Sequence, residues 1–160
     1  MKSCSNYIPE SAMRLTHALL SAVATLALSA SAADTPLNAE KYPQDTPQKA
    51  LTSLIKSLES KDYGYWVSNL MTPADSKVLL EKHGSLEKAV AFLADEKHSK
   101  MMNDNKERMQ KMLDANKTTE GDENGVKWVR FHLEEKELQL EKQTDGRWCM
   151  NTRFVGSKKN

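Results

Sequence analysis

One change of hydrophobic spacing constrains this 160-residue chain more than any other feature: apolar residues recur at helical intervals up to about residue 120 and alternate beyond Gly121. Leu51, Leu54, Ile55 and Leu58 stand at i, i+3, i+4 and i+7, behind a Thr46 cap and Pro47 at the first helical position. Ser60-Lys61-Asp62 interrupts the pattern. Tyr63, Trp66, Val67 and Leu70 then make a short second run, weakened by Gly64. Thr72-Pro73-Ala74-Asp75 opens a third helix, with Val78, Leu79 and Leu80 as its apolar side and His83-Gly84 as its end. Ser85 caps a fourth, with Leu86, Ala89, Val90 and Leu93 on one face and Phe92 beside them. Met101, Met102, Met109, Met112 and Leu113 extend a helical spacing through polar sequence, where Asn103-Asp104-Asn105 is a candidate break into two helices.

From Gly121 to Gly125 the chain carries a turn signal. Val129, Phe131 and Leu133 then alternate with Arg130 and His132, and Leu138 and Leu140 with Glu137, Gln139 and Glu141. Glu134-Glu135 fits a hairpin between these runs, and Asp145-Gly146 a two-residue turn into a last strand with Trp148, Met150, Thr152 and Phe154 on one face. Leu133–Lys142 also has high helix propensity, but the alternation and the flanking turns favour strands. A meander of at least three strands exposes an apolar face and needs a cover, which the amphipathic helices supply. The expected class is α+β, with N-terminal helices packed on a C-terminal antiparallel sheet.

Residues 1–32 read as a secretory signal: Met13-Arg14, a largely apolar stretch from Leu15 to Leu28, and the small-x-small site Ala30-Ser31-Ala32. The stretch is shorter than the roughly 20 residues of a membrane span. Met13 is an alternative start. The expected organisation is a signal over 1–32, a flexible linker over 33–45, the α+β domain over 46–156 and a tail over 157–160. The expected location is outside the cytoplasm, periplasmic or extracellular, without stable membrane insertion.

The whole chain carries a net charge of +1. Lys2, Arg14 and Glu10 fall within the signal, so the remainder is formally neutral. That balance argues against nucleic acid and against a polybasic membrane-surface patch. Cys4 leaves with the signal. Cys149 is then alone, with no internal disulfide partner, and reads as a buried apolar residue or an interchain thiol.

Thr46-Pro47-Gln48-Lys49-Ala50-Leu51, Lys61-Asp62-Tyr63, Leu70-Met71-Thr72-Pro73 and Thr144-Asp145-Gly146-Arg147-Trp148 resemble the opening and closing motifs of small exported domains of the nuclear-transport-factor-2-like superfamily. The resemblance implies a curved sheet wrapped around helices as a cone, with a pocket at its wide end. Catalytic members of the superfamily, such as ketosteroid isomerase, use a base carboxylate and a Tyr/acid oxyanion hole inside the cone. That set does not map onto this sequence, and fold alone does not fix function.

No histidine or cysteine spacing matches a metal site, and no cofactor is expected. Asp122, Glu123 and Asn124 lack Ca²⁺-loop spacing and read as a solvated hairpin tip. Trp66, Trp148 and Phe154 read as core, and the methionines as packing against the sheet. Tyr65 and Trp128 fall off the main apolar faces. With Arg130 and His132, on the polar side of one strand, they are the candidate ligand-binding residues; His132 could act as an acid or base if that side lined a pocket. The favoured function is a non-catalytic module binding a small ligand or a protein, with a homodimer as one form. The alternatives are a cone-pocket enzyme of isomerase or hydrolase type and an envelope-associated structural accessory domain.

Overall fold

The structure is a computed structural model and describes residues 40–157, with only the backbone described for 153–157. The signal reading, the linker up to residue 39 and the core reading of Phe154 lie outside the described residues and side chains.

Five helices precede four strands. Helix α1, Pro47–Glu59, starts where Thr46 accepts the Lys49 N–H, and it buries Leu51, Leu54, Ile55 and Leu58. Helix α2 is a single turn, Tyr63–Tyr65, that runs into a π-helical turn, Trp66–Leu70. Helix α3, Pro73–His83, has its Thr72 cap and ends at Gly84 with φ 82°, a left-handed position that glycine adopts without strain. Ser85 caps α4, Leu86–Ala94, and Asp95 separates it from α5, Glu96–Ala115.

Several details correct the sequence reading. Asn103-Asp104-Asn105 does not divide α5. Met102, Met109 and Met112 form a continuous buried face there, and that packing outweighs the low local propensity. Val78 and Leu86 point outward, since Leu79, Leu80, Ala89 and Leu93 suffice to seat α3 and α4. The tether expected through residue 45 is anchored at its end. Tyr42 is 1% exposed and stacks on Tyr65 with ring centroids 4.6 Å apart, and the buried Gln44 side chain donates to the Asn69 and Trp148 carbonyls.

The strands are β1 Thr118–Glu123, β2 Val126–Leu133, β3 Lys136–Lys142 and β4 Trp148–Ser157, an antiparallel sheet in the order β1-β2-β3-β4. Part of the expected Gly121–Gly125 turn is therefore strand. The turn is Asn124-Gly125 alone, with φ of 55° and 80°, the paired left-handed conformation of a tight hairpin. Glu134-Glu135 is the loop between β2 and β3, as expected. The β3–β4 connection is longer than two residues. The Gly146 N–H donates to the Gln143 carbonyl and the Gln143 N–H to the Arg147 carbonyl. A register shift between Glu137 and Gln139 bends the β3–β4 ladder.

Helices cover one face of this sheet. Val129, Phe131, Leu138, Leu140 and Met150 point inward, in one core with Leu51, Leu54, Met109 and Met112. The free edge of β4 is closed as well. Met71 forms a parallel bridge with Met150, the Thr72 N–H donates to the Met150 carbonyl, and the Trp148 N–H donates to the Gln44 carbonyl. Asp75 locks α3 to this edge: its carboxylate accepts the Thr72 hydroxyl at 2.8 Å and the Thr152 N–H at 2.9 Å.

Candidate functional site

Because β2 alternates, the inward set Val129 and Phe131 forces Trp128, Arg130 and His132 onto the face turned away from the helices. The register sets Glu141 opposite Trp128, Gln139 opposite Arg130 and Glu137 opposite His132. On the far side, β1 sets Gly121 opposite Trp128 and Thr119 opposite Arg130. Asn151 of β4 stands opposite Gln139.

Hydrogen bonds join these side chains across the strands. The Arg130 guanidinium donates to Gln139 Oε1 at 2.7 Å, the Gln139 amide donates to Glu141 Oε1 at 2.9 Å, and the Asn151 amide donates to the same Glu141 oxygen. Gln139 is only 2% exposed, so its bonds to Arg130 and Glu141 satisfy groups that burial would otherwise penalise. The Arg130 guanidinium also lies over the Trp128 ring, 4.4 Å from its centroid. Beneath the indole lies Gly121, where a Cβ would overlap Trp128 Cζ2 and stand 2.8 Å from Cε2. Glycine at 121 is what lets the indole lie flat on the sheet. His132 has both ring nitrogens engaged: Nε2 is 2.9 Å from the Thr119 hydroxyl and Nδ1 is 3.4 Å from Glu137 Oε1.

The four sequence candidates therefore separate. Trp128, Arg130 and His132 share one half-buried polar face. Tyr65 does not belong to it. Tyr65 is 7% exposed and stacked on Tyr42, and its hydroxyl is buried without a partner among the described residues. Burial pushes its pKa above the ordinary tyrosine value. Cys149 is buried nearby, beside Gln44 Nε2 and the Asn69 carbonyl. Burial pushes its thiol up to about 11, so it stays protonated at neutral pH and is a poor nucleophile.

Gly121, Gln139, Glu141 and Asn151 are the members that sequence reasoning missed. Gln139 and Glu141 were visible as the polar half of an alternating strand, but only the register joins them to Arg130 and Trp128. On the inner side of the sheet, the gap lined by Met109, Met112 and Leu138 has a volume of about 10 Å³, room for one water at most. Among the described residues no group of three or more His, Cys, Asp or Glu side chains could hold a metal ion. No helix there is long and apolar enough to cross a membrane.

No family model matches the chain, and neither curated proteins nor solved structures yield a match.

Proposed function

We propose that this chain is an exported, non-catalytic binding module of the nuclear-transport-factor-2-like kind, and that it docks a protein partner on the outer face of its sheet. The observation that carries this reading is the Trp128–Arg130 stack seated on Gly121. Tryptophan and arginine are the side chains that dominate protein interfaces, and here both are held in one conformation before any partner arrives. The surrounding groups are polar and carry both signs, Arg130 against Glu137 and Glu141, which suits a rim that excludes water and sets orientation. An acid or base must reach its substrate through a free ring nitrogen. Both nitrogens of His132 are occupied, so its chemistry favours an orienting role beside the stack.

The test is site-specific photocross-linking in the producing cells. A photoreactive phenylalanine analogue is placed at Thr119 or His132, with Lys111 on the exposed side of α5 as control. The reading expects one discrete adduct from positions 119 and 132, lost when Trp128 and Arg130 are both changed to alanine, and none from 111. The mass of the adduct separates a second copy of the chain from a different protein. No adduct from the sheet positions, or equal adducts from all three, overturns it.

A further inference from the structure

The two edges of the sheet differ. The β4 edge is closed by Met71, Gln44 and Asp75. The β1 edge is open. Strand β1 pairs with β2 alone, no helix packs closely on it among the described residues, and every residue from Thr118 to Glu123 except Gly121 is exposed. Its register is regular throughout, and neither a bulge nor a proline blunts it.

The ladder fixes which main-chain groups face out. The His132 N–H donates to the Lys117 carbonyl, and bonded and non-bonded pairs alternate along an antiparallel ladder. Positions 117, 119, 121 and 123 therefore bond to β2. The N–H and C=O of Thr118, Glu120 and Asp122 point away from it, with no partner among the described residues. The side chains of these three lie on the helix side, since Thr118 stands opposite Phe131 and Glu120 opposite Val129. On the outer side the Trp128 indole reaches across onto Gly121, so an aromatic ring lies over the edge strand itself.

Charge selects the occupant. Strand β1 carries Glu120, Asp122 and Glu123 and no base. None of the three has an ion pair among the described residues, Asp122 with Lys127 opposite it included. In the two registers that overlap β1 most fully with a second copy of itself, Glu120 stands opposite Glu120 or Asp122. Such like-charge pairs are destabilising, which disfavours self-pairing. We propose, resting on the outer-face docking above, that β1 takes up an extended segment of a different protein in which Lys or Arg alternates with apolar residues. The segment runs antiparallel. Its basic side chains fall on the helix side opposite Glu120 and Asp122, with their amides bonded to β1. Its apolar side chains fall on the outer side, beside the Trp128 ring. Main-chain bonds supply the affinity and the alternation supplies the specificity.

The experiment titrates the protein into a short, end-blocked, dye-labelled peptide of alternating lysine and valine, read by fluorescence anisotropy. Saturable binding is expected, weaker by about tenfold or more when glutamate replaces lysine, and weaker in 0.5 M salt. N-methylation separates edge pairing from plain charge attraction. Methyl groups on the lysine amides face β1 and should weaken binding by about tenfold or more. On the valine amides they face solvent and should change it by less than about threefold. On the protein, Glu120→Pro removes one outward N–H without touching the β2 ladder. It should weaken binding more than Glu120→Gln, which removes only the charge. No saturable binding up to about 1 mM, or equal affinity for the two methylated peptides, overturns the proposal. So does equal binding by folded Glu120→Pro and Glu120→Gln; if Glu120→Pro fails to fold, the methylated pair decides. Adducts at 119 and 132 without any edge dependence remove the strand addition and leave the outer-face docking standing.

Discussion

Replacing Gly121 with alanine tests how the outer sheet face is assembled. The new methyl group would overlap the Trp128 ring, with Cε2 at 2.8 Å and Cη2 at 3.0 Å, so the indole must lift away from β1. Lifting it breaks the stack with Arg130, about 0.5–1 kcal/mol at a partly exposed site, and uncovers part of the indole, about 1 kcal/mol more for some 40 Å² of apolar surface. Against this, alanine in a strand is favoured over glycine by about 0.5–1 kcal/mol. The net expected loss is about 1 kcal/mol, a fall of roughly 3–6 °C in unfolding midpoint for a domain of this size. In a Trp128→Ala background there is no ring to displace, and the same substitution should be neutral or stabilising by about 0.5 kcal/mol. The double-mutant cycle should therefore show a coupling of about 1–2 kcal/mol. Urea unfolding followed by circular dichroism measures it. Tryptophan emission adds a check: Trp66 and Trp148 are buried, so a red shift in the Gly121→Ala protein reports Trp128. Equal destabilisation in both backgrounds would refute the reasoning.

Phe131 is fully buried against Met112 and its neighbours, so Phe131→Ala should cost about 3–5 kcal/mol in urea unfolding. Loss of less than about 1 kcal/mol would mean the inner face is not packed as described. Asp75→Ala strands the Thr72 hydroxyl and the Thr152 N–H and should cost about 1–3 kcal/mol, with Asp75→Asn recovering part of it. A difference of zero between Ala and wild type would remove the α3–β4 lock. Cys149 gives a pH dependence. Its folded thiol titrates at about 11, above the value of 9.0 for an unperturbed thiol. Between these pH values the native state retains a proton that the unfolded chain has released, so its contribution falls as pH rises, by at most about 2–3 kcal/mol. The slope of stability against pH between 9 and 11 should be shallower in Cys149→Ala; an identical slope counts against the buried thiol.

The helix starts were legible because capping is local chemistry. Thr46, Thr72 and Ser85 each accept an N–H three residues on, and a Pro follows two of them. The period-2 runs were legible because a sheet covered on one face must alternate. Strand β1 was not, since Thr118–Glu123 has no apolar alternation and its ladder to β2 holds it in place. Tyr65 was misplaced for a geometric reason. Ordinary helical spacing turns it off the face set by Tyr63, Trp66 and Val67, but Tyr42, from the segment ahead of α1, stacks on its ring and covers that side as well. The outer-face site was half legible. Alternation puts Trp128, Arg130 and His132 together, whereas the bonds to Gln139, Glu141 and Thr119 depend on register, which one strand's sequence does not encode.

Cysteine scanning of β2 tests most directly whether the Trp128, Arg130 and His132 face lies open while its other side is sealed by helices. With Cys149 changed to alanine, single cysteines at positions 128–133 are labelled in the native protein with a charged thiol reagent. The expected rates alternate, with 128, 130 and 132 faster than 129 and 131 by about 100-fold or more, the signature of burial deep enough to require opening. Rates without a two-residue period, or fast labelling at 129 and 131, would contradict the account.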